Sequence, residues 1–413
     1  MSLNLIDNEL VHDKIYNKKI DLRALSLLIY ITGLLFFNGT IMFYLTTMFF
    51  ILINLILIVK DNEFYIPAYF SFITIFIIFN FILILFNNIP FRSISMNRNL
   101  ILTLNSIIGL LIINLFTQRK TVKYVVSLFP IILFIFLIFI IFLDFNNIFN
   151  GRLAFNLKNP FGSGTYNSNI IGYFICVCLL MSIIDLKFFR PSIKKLVLFR
   201  IFYYVLFLIL LGGRKTFIYA MLIIFSSYFY SSNNMKNRFK KIFIILLTIS
   251  VLLAVVTIVP IFYDIIGFRL VDIFKSVFLN EELTESSAVH RSIMIDIAKE
   301  LIKEKPWLGY GLDSFSQLSP YKTYSHNNYL ELILSSGYVG LTLYYLTFLF
   351  FFIKVLFLRD KYIRYFFSSI ILFFLILDYS VVSYMSREIM LIIYMTFGLT
   401  NMKGKYLKYD QII

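Results

Sequence analysis

The chain holds three histidines, and one of them stands among groups able to handle a proton. His326 follows Tyr324 and Ser325 and precedes Asn327 and Asn328, with Glu331 a short step further on. An imidazole of ordinary pKa is largely neutral near pH 7 and can accept a proton from an alcohol. Asn327 or Glu331 is placed to orient the ring. A lone histidine is often only a satisfied polar residue, so spacing by itself leaves both readings open. His12 lies in a polar N-terminal stretch, and His290 neighbours Arg291, where a helix-surface position suffices.

Several other chemistries are excluded by what the motifs lack. No Asp-x-Asp pair is present to hold a nucleotide sugar through a metal, and Gly212-Gly213-Arg214-Lys215-Thr216 lacks the upstream glycine of a P-loop. Cys176 and Cys178 share one apolar segment without companion His or Cys, so they read as core or lipid-facing thiols, without a zinc site or disulfide framework. Neither a metal nor another cofactor is expected.

The elements that must position His326 are written in the composition. Of 413 residues, 60% are hydrophobic and 15% charged, with 49 Phe and 28 Tyr. The apolar residues come in runs too long and too numerous to fill one soluble core, which predicts an all-α polytopic membrane protein of about twelve spans. Helices are expected near 24–37, 41–59, 64–86, 100–116, 122–143, 168–184 and 196–212, then 215–230, 242–263, 329–356, 365–384 and 388–400. Asn38, Gly39 and Thr40 alone divide the first two, so one long tilted helix is the competing reading there. With both termini inside, 22 Lys and Arg fall in the inner connections and seven in the short outer ones: Arg92, Arg98, Arg152, Lys158, Arg214, Lys215 and Arg387. The net charge of +16 is therefore mostly a topology signal, served by anionic lipid headgroups, and nucleic acid need not be invoked. The polar first 23 residues and the absence of a small-residue cleavage pattern after them predict no cleaved signal.

The whole chain, 1–413, reads as a single transmembrane domain, with residues 264–328 as a large extracytoplasmic loop. A helix is predicted from Ser286 or Ser287 to about Lys305, where Pro306 stops it. Its apolar face, Ile293, Ile297 and Leu301 with Met294, Ala298 and Ile302, suits the membrane surface or the tops of other helices. After it come Pro306-Trp307-Leu308-Gly309-Tyr310-Gly311, then His326-Asn327-Asn328-Tyr329-Leu330-Glu331, then Gly337-Tyr338-Val339-Gly340-Leu341. This succession, Pro-x-Leu-Gly-x-Gly, His-Asn-x-x-Leu-Glu and Gly-x-x-Gly-Leu, resembles the O-antigen ligase and polysaccharide polymerase (Wzy) superfamily in order, spacing and predicted topology. Arg291 lies upstream, as that family expects. Asn159-Pro160-Phe161 through Asn169-Ile170 and Gly212-Gly213-Arg214 resemble two further family turns; the first five spans match in topology only.

The resemblance implies a membrane glycosyltransferase that moves a glycan from a polyprenyl diphosphate carrier to an acceptor hydroxyl. Its leaving group concentrates negative charge, which calls for fork-shaped cationic donors. Arg214, Lys215 and Arg291 are the first candidates for that diphosphate, with Arg152 and Arg387 as further ones; headgroup snorkelling accounts for Arg92, Arg98 and Lys158. His326 would be the base. Asn327 and Glu331 would orient it. Asp378, inside the eleventh predicted span, would pair with an arginine, contact sugar hydroxyls or bridge two helices. Expected partners are polyprenyl-diphosphate-linked oligosaccharides, membrane lipids, a chain-length regulator and other polysaccharide-assembly proteins. The implied location is the bacterial cytoplasmic membrane, with the active site on its outer face. Polymerising lipid-linked repeat units into a capsular, exopolysaccharide or O-antigen glycan is the leading reading, and ligation of a finished glycan is the neighbouring one. A lipid-linked oligosaccharide flippase is the alternative from another class; the lack of a clear internal repeat and the few mid-membrane charges count against it.

Overall fold

Long stretches of Phe, Ile and Leu with isolated polar residues satisfy their backbone internally as helices, since nothing else in an apolar medium would. The computed structural model describes residues 21–62, 64–86, 91–143, 168–189, 191, 193–211, 213–231, 235–268, 271–272, 274–275 and 286–401. Among the described residues there is no strand. The helices are α1 (Leu22–Phe36), α2 (Ile41–Asp61), α3 (Ala68–Phe86), α4 (Arg92–Leu115), α5 (Arg119–Leu143), α6 (Ser168–Ile184) and α7 (Lys194–Leu211). They continue as α8 (Arg214–Tyr230), α9 (Met235–Ile258), α10 (Ser286–Glu304), α11 (Ser314–Leu318), α12 (Asn328–Leu356), α13 (Lys361–Asp378) and α14 (Arg387–Leu399).

Each apolar run predicted as a span overlaps one helix. By length and composition, seven described helices suffice to cross a membrane: α2 to α6, α9 and α12; α1 and α8 are shorter apolar helices. The first pair is two helices. Gly39 turns the chain at φ 84°, and Arg23 at the start of α1 meets Asp61 at the end of α2, so the two run antiparallel. Buried asparagines join neighbours: Asn54 donates to Ser26 across this pair at 3.0 Å, and Asn114 donates to the Tyr65 carbonyl at 2.9 Å. α9 lies almost wholly exposed, showing Phe239, Phe243, Leu246 and Val251, as a lipid-facing helix would.

Several helix ends depart from expectation, and two of the departures involve the loop. α4 begins at Arg92, two turns early, because its first turns are polar and dock the chain that follows α10: Ser95 donates to the Leu312 carbonyl (3.0 Å), and Arg98 pairs with Asp313 (2.7 Å). Arg98 is thus a tether, not the headgroup-snorkelling residue expected. α13 ends at Asp378 instead of near residue 384, because the Asn328 side-chain carbonyl accepts from the Ser383 (2.9 Å) and Tyr384 (3.4 Å) amides and holds that stretch out of the helix.

α12 is continuous in sequence and folded back in space. Gly337 breaks it at φ 67°, ψ −174°. In a straight helix Asn328 and Tyr345 would stand about 25 Å apart. Here the Asn328 amide lies 3.0 Å from the Tyr345 hydroxyl, and the Tyr329 and Tyr345 rings stack at 4.8 Å. Residues 328–336 therefore form a short arm lying back along residues 338–356.

Candidate functional site

The fold-back is fixed by the glycine-rich turn. At the break, the Leu334 and Ser335 carbonyls lose their helical donors and accept instead from the Tyr310 and Gly311 amides, both at 2.8 Å. The Tyr338 amide, first of the second arm, donates to the Pro306 carbonyl at 2.9 Å. The contact is backbone to backbone, which explains the glycines. Gly309 and Gly311 have φ of 68° and 101°, and a Cβ on Gly337 would strike the Trp307 carbonyl. α10 covers the first arm: Met294, Ala298 and Ile302 are buried with Tyr310, Phe315, Ile333 and Leu334, while Asp296–Lys299 and Glu300–Lys303 pair on the exposed face. Ile293, expected on the apolar face, stays exposed.

The N-terminus of the short arm points back among the other helices and carries the His-Asn-Asn segment. Asn327 caps the arm, its side-chain oxygen accepting from the Leu330 amide at 3.1 Å. Glu331 is fully buried; one oxygen accepts the Ser325 amide at 2.8 Å, and the other has no hydrogen-bond partner among the described residues. Through these bonds both shape the turn that presents His326. Asp378 accepts from Asn328 (3.1 Å) and from the Tyr345 hydroxyl (2.8 Å), so of its three readings the described contacts give the helix–helix bridge.

His326 itself is held by conformation. Its φ is 60°, a left-handed value that costs a residue with a side chain roughly 1–3 kcal/mol. Its ring packs edge-on against Tyr324, centroids 4.5 Å apart. Burial first, then the charges of Arg291 and Lys215, push its pKa down to about 4. The ring is therefore neutral at pH 7, with two cations close enough to resist its protonation. Arg291 also counteracts the upward push of burial on the neighbouring Tyr324 phenol.

Three helix N-termini meet at this place. α6 and α8 touch near their starts: a Cβ on Gly172 would lie 2.6 Å from the Thr216 hydroxyl, one on Gly213 would lie 3.3 Å from the Asn169 side chain, and Cys176 donates to the Thr216 carbonyl at 3.3 Å. α8 starts after Gly213 with no side chain capping it. Lys215 then crosses to donate to the Ser380 carbonyl, which brings α8 to the end of α13 and to the first arm of α12 bound there. The uncapped start of α8 and the positive dipole ends of α6, α8 and α12, beside Lys215 and Arg291, make a field suited to an anion.

The sequence candidates thus divide. Arg291, Lys215 and His326 come together. Arg214 is the first residue of α8, and its side chain lies outside the described residues, as does Arg152 entirely. Arg387 lies over the Phe43 ring, 4.6 Å from its centroid. His290 is exposed, beside Tyr321. Cys176 and Cys178 are buried free thiols. Tyr173, on the first turns of α6, is not singled out by the sequence; its hydroxyl is buried with no hydrogen-bond partner among the described residues, and one tyrosine in an apolar helix gives no local signal.

No curated protein matches the chain. The family model described as O-Antigen ligase, Wzy_C, matches residues 199–345, a range that holds Arg214, Lys215, Arg291, His326, Asn327 and Glu331 and stops short of Asp378 and Arg387. This stretch, from α7 to the second arm of α12, belongs to the O-antigen ligase/Wzy superfamily of membrane glycosyltransferase-like enzymes, as its motifs predict.

Proposed function

We propose that the protein polymerises oligosaccharide repeat units carried on a polyprenyl diphosphate, building a capsular, exopolysaccharide or O-antigen glycan at the outer face of a bacterial cytoplasmic membrane. The observation that carries this reading is the meeting of three helix N-termini with Lys215 and Arg291 around a neutral, half-buried His326; all of these except the α6 terminus lie within the family-matched residues. The donor diphosphate would lie against the cations and helix ends. The acceptor hydroxyl oxygen would attack the anomeric carbon, forming the new glycosidic bond as the bond from that carbon to the phosphate oxygen breaks. The hydroxyl proton would pass to the His326 imidazole, and polyprenyl diphosphate would leave with the bonding pair. A base of pKa about 4 is weak, and the donor itself remedies this. Its negative charge offsets Arg291 and Lys215, which raises the affinity of His326 for the proton as substrate binds.

On this reading twelve helices span the membrane with both termini inside, and the chain from 264 to 328 is extracytoplasmic. An exposed residue of α10, Lys299, replaced by cysteine, would then react with an impermeant thiol reagent in intact cells; labelling only after lysis would put the site on the wrong side. Chain-length regulators and other assembly proteins would be its natural partners. Transfer of a finished glycan to a different acceptor uses the same chemistry, and the description of the matched family favours it as the second reading. Purified protein given a lipid-linked repeat unit decides between them. Chains lengthening on the lipid carrier mean polymerase; glycan leaving the carrier only when another acceptor is added means ligase. No transfer to either acceptor would overturn both.

A further inference from the structure

Tyr173 is buried to 3% exposure, yet its hydroxyl has no hydrogen-bond partner among the described residues. Leaving a polar group so is unfavourable by roughly 1–3 kcal/mol, and a phenylalanine would fill the same space without that penalty. The rest of this helix shows how its groups are normally satisfied: three residues on, the Cys176 thiol donates to the Thr216 carbonyl. Tyr173 follows Gly172, where α6 presses against Thr216 at the start of α8, so it sits beside the meeting of helix N-termini described above. Arg291, Tyr324 and Asp378, from three other parts of the chain, share its electrostatic surroundings. Asp378 does not accept from it, since its described donors are Asn328 and Tyr345. The donor hydroxyl thus has no described partner in a place it shares with Arg291, Tyr324 and the Asp378 carboxyl, whose acceptor capacity goes to other donors.

We infer that Tyr173 is a substrate-binding residue, donating its hydroxyl hydrogen to an oxygen of the donor diphosphate held by Arg291 and Lys215. This inference rests on the function proposed above and adds a contact from α6, which lies outside the family-matched residues. An anion so placed accepts a hydrogen for which no described residue provides a partner. Tyr173 takes no part in proton transfer to or from the acceptor; its role is to hold the leaving group.

The test compares wild-type protein with Tyr173→Phe, Arg291→Ala and His326→Ala, all purified. The three readouts are thermal stability, affinity for geranylgeranyl diphosphate, and glycan transfer from a lipid-linked repeat unit. Tyr173→Phe should melt no lower than wild type, because it removes an unsatisfied buried group, and should bind the probe more weakly by about 10- to 150-fold. Its transfer should fall mainly through the KM for donor. Wild-type probe affinity and KM in Tyr173→Phe, with Arg291→Ala impaired, would overturn the role of Tyr173 and leave the proposed function standing. A clear fall in melting temperature, with probe affinity intact, would make Tyr173 structural and also overturn it. Unimpaired binding and transfer in Tyr173→Phe, Arg291→Ala and His326→Ala alike would sink both the inference and the function beneath it.

Discussion

In residues 306–311 the backbone closes the break in α12 with two amides and a carbonyl, while Tyr310 packs under α10 and Trp307 stays 68% exposed. In residues 325–331 the side chains carry the weight, Asn327 capping, Asn328 bridging to Asp378, Glu331 holding Ser325, and His326 alone left without such a bond among the described residues. Both segments bear parts of one family signature. The contrast shows how a motif divides its labour. Glycines recur where two backbones must touch, and polar residues whose hydrogen bonds are consumed set geometry. On the function proposed above, chemistry falls to His326, with Arg291, Lys215 and Tyr173 holding the donor.

The largest effect should come from the backbone contact. Gly337→Ala forces a side chain into a left-handed conformation, costing about 1–3 kcal/mol, and drives it into the Trp307 carbonyl, so the total should exceed roughly 3 kcal/mol. The expected outcome is little folded protein by size-exclusion chromatography. A well-folded, active Gly337→Ala would erase the distinction between the two segments.

Next in size is the cation beside the imidazole. Arg291→Ala should lose on the order of 1.5–3 kcal/mol of donor binding for each charge-assisted hydrogen bond removed, roughly 10- to 150-fold in kcat/KM. Arg291→Lys should recover part of this, since it restores the charge without the planar fork. Unchanged kcat/KM in the alanine variant would show that the N-terminal field alone holds the anion.

Asp378→Ala should act on stability first, since the Asn328 amide and Tyr345 hydroxyl would each lose a buried acceptor. About 1–3 kcal/mol is expected, read as a lowered melting temperature. Loss of transfer with stability intact would instead move Asp378 into the reacting group of residues.

Much of this architecture was legible from the sequence. Each predicted apolar run meets a described helix, seven of them long and apolar enough to cross a membrane, because length and apolarity decide whether a segment can satisfy its backbone in an apolar medium. The Wzy resemblance rested on residues that the structure brings together, Arg291 and His326 above all. The fold-back of α12 was hidden. One glycine in a 29-residue apolar helix reads as tolerated, and its role depends on a turn 26 or more residues earlier. The Arg98–Asp313 pair, 215 residues apart, is equally invisible to local reasoning, and so Arg98 looked like a headgroup residue. Asp378 was open to three readings because nothing near it in sequence reveals Asn328.

The smallest expected effect is one of pH. Burial, Arg291 and Lys215 together depress the pKa of His326, so in the free enzyme the base stays deprotonated down to about pH 4. The acid limb of kcat/KM should therefore lie near pH 4 rather than near the ordinary histidine value of about 6.5. Bound donor brings negative charge, which favours the imidazolium, so the acid limb of kcat should lie at higher pH than that of kcat/KM. Coincident limbs near pH 6.5 would mean that neither burial nor the cations act on the base.

The most direct test of the central claim is single-turnover transfer by purified His326→Ala, measured with donor binding on the same preparation. A positioned base contributes roughly 10²–10⁴-fold to such a step. The account predicts wild-type donor affinity and a transfer rate lowered by about that factor, with His290→Ala at the wild-type rate as control. Wild-type turnover by His326→Ala would contradict it.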